Sequence, residues 1–132
     1  MMYSCPTSET TIWKSVSPLY ATTYAAIAAV DAAYGKLDIL VNNAGVSGNK
    51  LSVEDIDEVV FDQMFGIQVR GSFFATKAVL PGMKARKSGS IVVISSIYAM
   101  GGSDFASHYA AAKAALSGFT KAWAREFSKD RI

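Results

Sequence analysis

Tyr109 and Lys113 stand four residues apart in the stretch Tyr109-Ala110-Ala111-Ala112-Lys113. On a helix this spacing puts both side chains on one face, about 5–6 Å apart at Cβ. An ammonium at that range stabilises a phenolate, and the ordinary phenol pKa of about 10 must fall before the group exchanges protons well near neutral pH. The pair is therefore a candidate general acid/base. Alone, Tyr-x-x-x-Lys is a weak signal that many surface helices carry by chance. Its surroundings change the balance. Ser96 lies thirteen residues before Tyr109, just past the apolar run Ile91-Val92-Val93-Ile94, and a second apolar run ending Leu40-Val41 leads into Asn42-Asn43-Ala44-Gly45. Open α/β sheets hold their ligands outside the carboxyl ends of the strands, so a hydroxyl, a phenol, an ammonium and a glycine-containing loop are expected to converge on one sheet edge.

The elements that must position these residues follow from periodicity. Ile91 to Ile94 is β-branched throughout and follows Gly89, the pattern of a strand covered on both faces in a parallel sheet. Within Lys36 to Asn42, the residues Leu37, Ile39, Leu40 and Val41 predict another buried strand. Small apolar residues at helical spacing from Ala21 to Tyr34, stopped by Gly35, predict a helix. From about Ser52 to Lys87, Ile56, Val59, Val60, Met64, Ile67, Phe74, Ala78 and Val79 recur at threes and fours, which predicts a long helix with Ser52 or Asp57 as N-cap. Gly66 and Gly71 inside it each cost about 1 kcal/mol relative to Ala and imply a packing or backbone reason. A loop from Ser95 to Phe105 then leads into a last helix ending near Ser128. Met1 to Lys14 reads as a loop or weak strand. Strands alternating with helices predict right-handed βαβ units, hence an α/β fold with a parallel sheet and helices on both faces. Two strands make a marginal sheet, where about 4 to 6 are usual, so the sheet is expected to be partial.

Composition narrows the function classes. The 132 residues, 51% of them hydrophobic, suffice for the core of one domain at most. Thirteen Lys and Arg against eleven Asp and Glu leave a net charge of +2, scattered except around Lys84 to Lys87, which argues against nucleic acid as a partner. Cys5 is the single cysteine and has no Cys or His at metal-ligand spacing, so neither an internal disulfide nor a metal is expected. The Ala-rich stretch from Tyr20 to Ala33 is interrupted by Thr22, Thr23, Tyr24 and Asp31 and lacks a basic lead-in, so it reads as a helix, not a signal sequence. No run reaches the roughly 18 apolar residues of a membrane span, and a cytoplasmic location is expected.

Taken together, the Asn-Asn-Ala-Gly motif at Asn42 to Gly45 and the Ser96, Tyr109-x-x-x-Lys113 arrangement resemble the short-chain dehydrogenase/reductase family in its common form. The match is dense from Gly35 to about Phe127, and the combination is specific although each piece alone is weak. The resemblance implies a Rossmann-like doubly wound sheet, present in part, with residues 15–132 family-like and 1–14 unplaced. It implies an NADP or NAD cofactor and interconversion of a carbonyl and a secondary alcohol by hydride transfer, with a 3-oxoacyl thioester, a sugar, a steroid or a small ketone all open as substrate. Tyr109 would be the acid/base, Lys113 would lower its proton affinity and bind the nicotinamide ribose, and Ser96 would bond the substrate oxygen. Asn43, Ala44 and Gly45 would lie along the cofactor. Asn42 would either join them or tie neighbouring strands. Ser95 is a weaker rival to Ser96, set aside by the thirteen-residue spacing.

Two departures stand out. Where the family usually has Asn-Leu-Lys-Gly, with the Asn in a water-linked proton relay, this chain reads Gln68-Val69-Arg70-Gly71, so the relay would act through a longer arm. The family's Thr-Gly-x-x-x-Gly-x-Gly phosphate loop has no counterpart, since the first glycine is Gly35, and Ser15-Val16-Ser17 stands where an Asp-Val-Ser/Thr usually sits near the adenine. A second reading is therefore a truncated, non-catalytic form acting through oligomerisation helices. In the family the helices matching Asp57–Lys84 and Phe105–Ser128 form the interface of a homodimer or homotetramer. A third, a flavodoxin-like module, explains the sheet but not the Ser96, Tyr109, Lys113 spacing. The aromatics Phe61, Phe65, Phe73, Phe74, Trp123 and Phe127 read as packing surface, His108 as a polar helix residue near the cleft, and Tyr98 and Met100 as either pocket lining or exposed loop.

Overall fold

The computed structural model describes residues 18–132; the segment Met1 to Lys14 and the stretch Ser15-Val16-Ser17 lie outside the described residues. Helix α1, Pro18–Tyr34, opens on a proline, whose fixed φ suits a first helical position. It ends where Gly35 takes φ 77 and donates its N–H to Asp31 O at 2.8 Å, a left-handed stop that glycine adopts without penalty.

Strand β1, Ile39–Asn42, pairs in parallel with β2, Ser90–Val93, in the register Ile39 opposite Ser90 through Asn42 opposite Val93. Ser90 N–H to Asp38 O (2.9 Å) and Ile94 N–H to Asn42 O (3.0 Å) extend the ladder by one rung at each end. β1 starts later than Lys36 because Lys36 and Asp38 form an exposed ion pair at 3.0 Å and Leu37 O accepts from Arg86 Nη2 at 2.8 Å.

The segment predicted as one long helix is divided into four elements. A 3-10 turn, Val53–Asp55, precedes α2, Glu58–Phe65, and a π turn, Gly66–Arg70, joins α2 to α3, Gly71–Arg86. Of the two predicted caps Asp57 is the one used for α2: its Oδ1 accepts from Val60 N–H at 2.8 Å, while Ser52 spends its hydroxyl on Asp55 Oδ2. The two glycines that looked costly bracket the π turn, in which Gly71 N–H reaches back five residues to Gly66 O. Ser72 Oγ donates to Gln68 O at 2.6 Å and takes up a carbonyl within the wider turn. Beyond β2, a short helix α4, Tyr98–Gly101, lies within the expected loop, and α5 runs Ser107–Phe127 before a 3-10 turn, Ser128–Asp130.

The core sits between α2, α3, α5 and one face of the sheet. Met64, Met83, Ala112, Leu116 and Phe127 are buried there, and α1 packs along α3. Leu40, Asn42, Ile91 and Val93 turn to this side, as the two-residue pleat requires. On the other side Ile39, Val41, Val92 and Ile94 are 41–62% exposed. Among the described residues the helices thus lie on one face of the strand pair, as part of a doubly wound sheet. A wholly β-branched run reads alike whether one face or two are covered, because the uncovered positions are as apolar as the covered ones.

Candidate active site

The carboxyl edge of the two strands carries the sequence-predicted residues. At the end of β1, Asn42 is buried and donates Nδ2–H to Thr76 Oγ1 at 3.0 Å, so it ties the strand to α3, where the sequence reading had a neighbouring strand or a ligand. Asn43, Ala44 and Gly45 follow, exposed, and leave the sheet without regular structure. Gln68 anchors this segment from below. Its Nε2 donates to Val46 O at 2.8 Å and contacts Met64 Sδ at 2.7 Å, and its amide carbon would lie 3.5 Å from a methyl placed on Gly45. These bonds run to the Asn43–Val46 segment, not to Ser96, Tyr109 or Lys113.

At the end of β2 the two serines part. Ser95 Oγ donates to Lys113 O at 2.9 Å and lies 2.8 Å from Ser117 Oγ, which makes it a structural tie between strand and helix. Ser96 faces away from that tie and accepts the Tyr98 N–H at 3.2 Å. A hydroxyl that accepts one bond still has its own proton to donate, so Ser96 is the serine free to meet an oxygen.

Helix α5 brings up the pair that drew attention first. Lys113 is 5% exposed, donates from Nζ to Ile94 O at 2.9 Å, and stands 5.7 Å from the centroid of the Tyr109 ring. Burial strips water from its ammonium and holds its proton affinity below the ordinary lysine value. The Tyr98 ring meets that of Tyr109 edge-to-face, centroids 6.1 Å apart at 81°. Ser96, Tyr98, Tyr109 and Lys113 therefore form one contiguous group, with Gln68 on the far side of the Asn43–Gly45 segment.

His108, expected near the cleft, is buried instead: it is 2% exposed, points between α2 and the loop after β1, and its Nε2 would lie 3.3 Å from a methyl on Gly48. Of the residues at the floor of the site, Thr76 was not singled out in the sequence, and Met64 only as one apolar position of the helix. Polar Gln68, Ser72 and Thr76 at spacings of four were the available signal, since a polar stripe on an otherwise apolar helix face marks bonded core groups. Among the described residues no group of three or more His, Cys, Asp or Glu could hold a metal, and no helix is long and apolar enough to cross a membrane.

Comparison with known proteins decides the family. The family model for short chain dehydrogenase matches residues 14–132. The chain belongs to the short-chain dehydrogenase family. Among curated relatives, the 3-oxoacyl-[acyl-carrier-protein] reductase FabG of Thermotoga maritima is 39% identical over 99 residues, covering 75% of this chain and 40% of that protein. Human dehydrogenase/reductase SDR family member 4 is 41% identical over 99 residues, covering 75% of this chain and 36% of its own. Among solved structures, ElxO with NADP bound superposes with a TM-score of 0.80 at 32% identity, over 84% of this chain and 45% of that one. The NADH-dependent reductase A1-R' complexed with NAD gives 0.81 at 29% identity, over 86% and 49%. This short-chain dehydrogenase chain thus spans two fifths or less of those curated relatives and about half of those solved ones, and its two strands are part of the family's Rossmann fold.

Proposed function

We propose that residues 15–132 are one partial domain of an NAD(P)-dependent oxidoreductase that interconverts a carbonyl and a secondary alcohol, a 3-oxoacyl thioester being one substrate class within reach. The observation that carries this reading is the contiguous Ser96, Tyr109, Lys113 group at the carboxyl edge of the sheet. The residues fit a nicotinamide cofactor. Asn43, Ala44 and Gly45 offer exposed backbone and small side chains on one side, and Lys113 Nζ keeps two N–H donors beyond the one given to Ile94 O. Solved relatives of the same fold hold NADP or NAD.

When bound, such a cofactor supplies or accepts the hydride at the carbon. The chain does the rest. Ser96 donates its hydroxyl proton as a hydrogen bond to the reacting oxygen, where negative charge develops. Tyr109 gives that oxygen a proton in reduction and takes it back in oxidation. Lys113, buried and positively charged beside the Tyr109 ring, favours the charged form that the phenol passes through. Gln68 acts here by anchoring Val46 and so the segment Asn43–Gly45, the place that the sequence reading gave to a relay member.

The test is titration of the purified chain with NADPH and NADH, followed by cofactor fluorescence, beside Tyr109→Phe and Lys113→Ala. Saturable binding that Lys113→Ala weakens at least tenfold, with ketone reduction that Tyr109→Phe abolishes, supports the enzyme. A folded chain that binds neither cofactor sinks it.

A second reading draws on one specific observation. Between α2, α3 and α5 runs an open groove of about 470 Å³ lined by Phe65, Val69, Phe73 and Phe119, with Arg70 over the Phe74 ring at 5.7 Å. Exposed aromatic surface of this kind suits subunit contact, and we place a homodimer or homotetramer there, with a cytoplasmic setting and no nucleic acid or membrane partner. A chain that self-associates through this groove yet binds no cofactor would act through assembly alone.

A further inference from the structure

We propose that Tyr98 is a specificity-determining residue of this site and that it favours carbonyl compounds bearing an aromatic substituent over polyhydroxylated ones. The inference rests on the reading of Tyr109 as the proton donor. Of the side chains near Tyr109, Tyr98 is the one whose ring lies against it, at 6.1 Å and 81°. Edge-to-face packing occupies the edge of one ring and one face of the other, and leaves the remaining aromatic surface free for a third partner. Tyr98 keeps 39% of its surface exposed, so this surface opens to solvent beside the reacting phenol.

The backbone that carries the ring is also held in place. The Tyr98 N–H bonds to Ser96 Oγ at 3.2 Å, its carbonyl accepts Gly102 N–H at 3.0 Å, and the turn is closed by Ala99 N–H to Ser96 O at 3.1 Å. The residue expected to polarise the substrate oxygen thus fixes the residue that walls the substrate. A carbonyl compound whose oxygen meets Ser96 and Tyr109 would therefore have the Tyr98 ring beside it.

The chemistry of the neighbourhood selects among substituents. From Ile97 to Gly102 the Tyr98 hydroxyl is the only polar side-chain group, and Ile97 and Met100 beside it are 75% and 87% exposed. A sugar gains affinity only where several donors and acceptors are placed to replace its bonds to water, and this surface places one. A flat apolar substituent needs none and stacks on the free ring surface.

The full chain labelled with 3-fluorotyrosine reads this directly by fluorine NMR, the Tyr98 and Tyr109 signals being identified from Tyr98→Phe and Tyr109→Phe. Acetophenone and D-xylose are titrated separately, with and without NADPH. Acetophenone is expected to shift both signals saturably, and D-xylose at the same concentration to shift neither. In Tyr98→Ala, acetophenone binding followed at Tyr109 should weaken about five- to tenfold, and Tyr98→Leu, which keeps apolar bulk without a ring, should recover only part of it. Equal shifts from D-xylose, no saturable shift from acetophenone, or unchanged affinity in Tyr98→Ala each overturn the proposal. Turnover is a separate readout. Shifts without ketone reduction would sink the enzyme reading and leave the aromatic preference standing, whereas reduction of acetophenone with Tyr98→Ala unimpaired would do the reverse.

Discussion

The two faces of the β1–β2 pair differ sharply although both are apolar in sequence. On the helix side Ile91 and Val93 meet Trp123 and Phe127 close to the buried Leu116 (1% exposed), and Asn42 enters bonded to Thr76, while Gln68 Oε1 and both ring nitrogens of His108 are buried without a partner. On the other side Ile39, Val41, Val92 and Ile94 stand 41–62% exposed. The groups that frame the site are tied into the covered side: Ser95 to Lys113 O, Lys113 to Ile94 O and Gln68 to Val46 O. The geometry of the site is therefore as firm as that one layer of packing and owes little to the bare face.

That contrast can be tested from its strongest point downward. Leu116→Ala removes a fully buried side chain from the covered layer and should cost about 2–5 kcal/mol in urea unfolding. Gly89→Ala is next. An added methyl would stand 2.5 Å from Met83 Sδ, and Met83 is itself wholly buried, so a loss of about 1–3 kcal/mol is expected from the same measurement. Lys113 sharpens the comparison through pH. Its burial lowers its proton affinity in the fold, so between that lowered value and the free-lysine value of 10.5 the unfolded chain binds the extra proton, and native stability rises with pH across this window. Lys113→Met lacks that gain. Urea midpoints taken near neutrality and near pH 10 should shift in favour of the parent chain, and parallel midpoints would mean that the ammonium is solvated. The smallest effect belongs to the bare face, where Val92→Thr should change stability by less than about 0.5 kcal/mol. A loss above 1 kcal/mol there would break the contrast and show that the face is covered.

Much of this arrangement could be read from the residues. Both strands, α1, α5 and the Asp57 cap follow from periodicity and capping chemistry, because those signals are local. The choice of Ser96 over Ser95 came from spacing, and it agrees with Ser95 being bonded to Lys113 O and Ser117 while Ser96 keeps its proton free to donate. That the described helices cover one face of the pair was not legible, since hydrophobicity records the tendency to be covered and not the presence of a cover. Nor was the π turn, as apolar residues at threes and fours continue through Gly66–Arg70 unbroken. The direction of Gln68 depends on that turn and was hidden with it, and His108 gave no sign of burial because a lone imidazole carries no periodicity.

The π turn has a consequence of its own. Met64, Gln68, Ser72 and Thr76 are all buried at successive spacings of four, whereas an ideal α-helix turns about 100° per residue and would carry such a series steadily around its axis. The wider turn at Gly66–Arg70 resets the phase, so residues before and after it keep facing the same way. It works as a splice between two rods cut at different angles. Taking one residue out of the splice would leave composition and helix content nearly unchanged while rotating α2 against α3 by about 100°, and the amide that now grips Val46 would be aimed elsewhere.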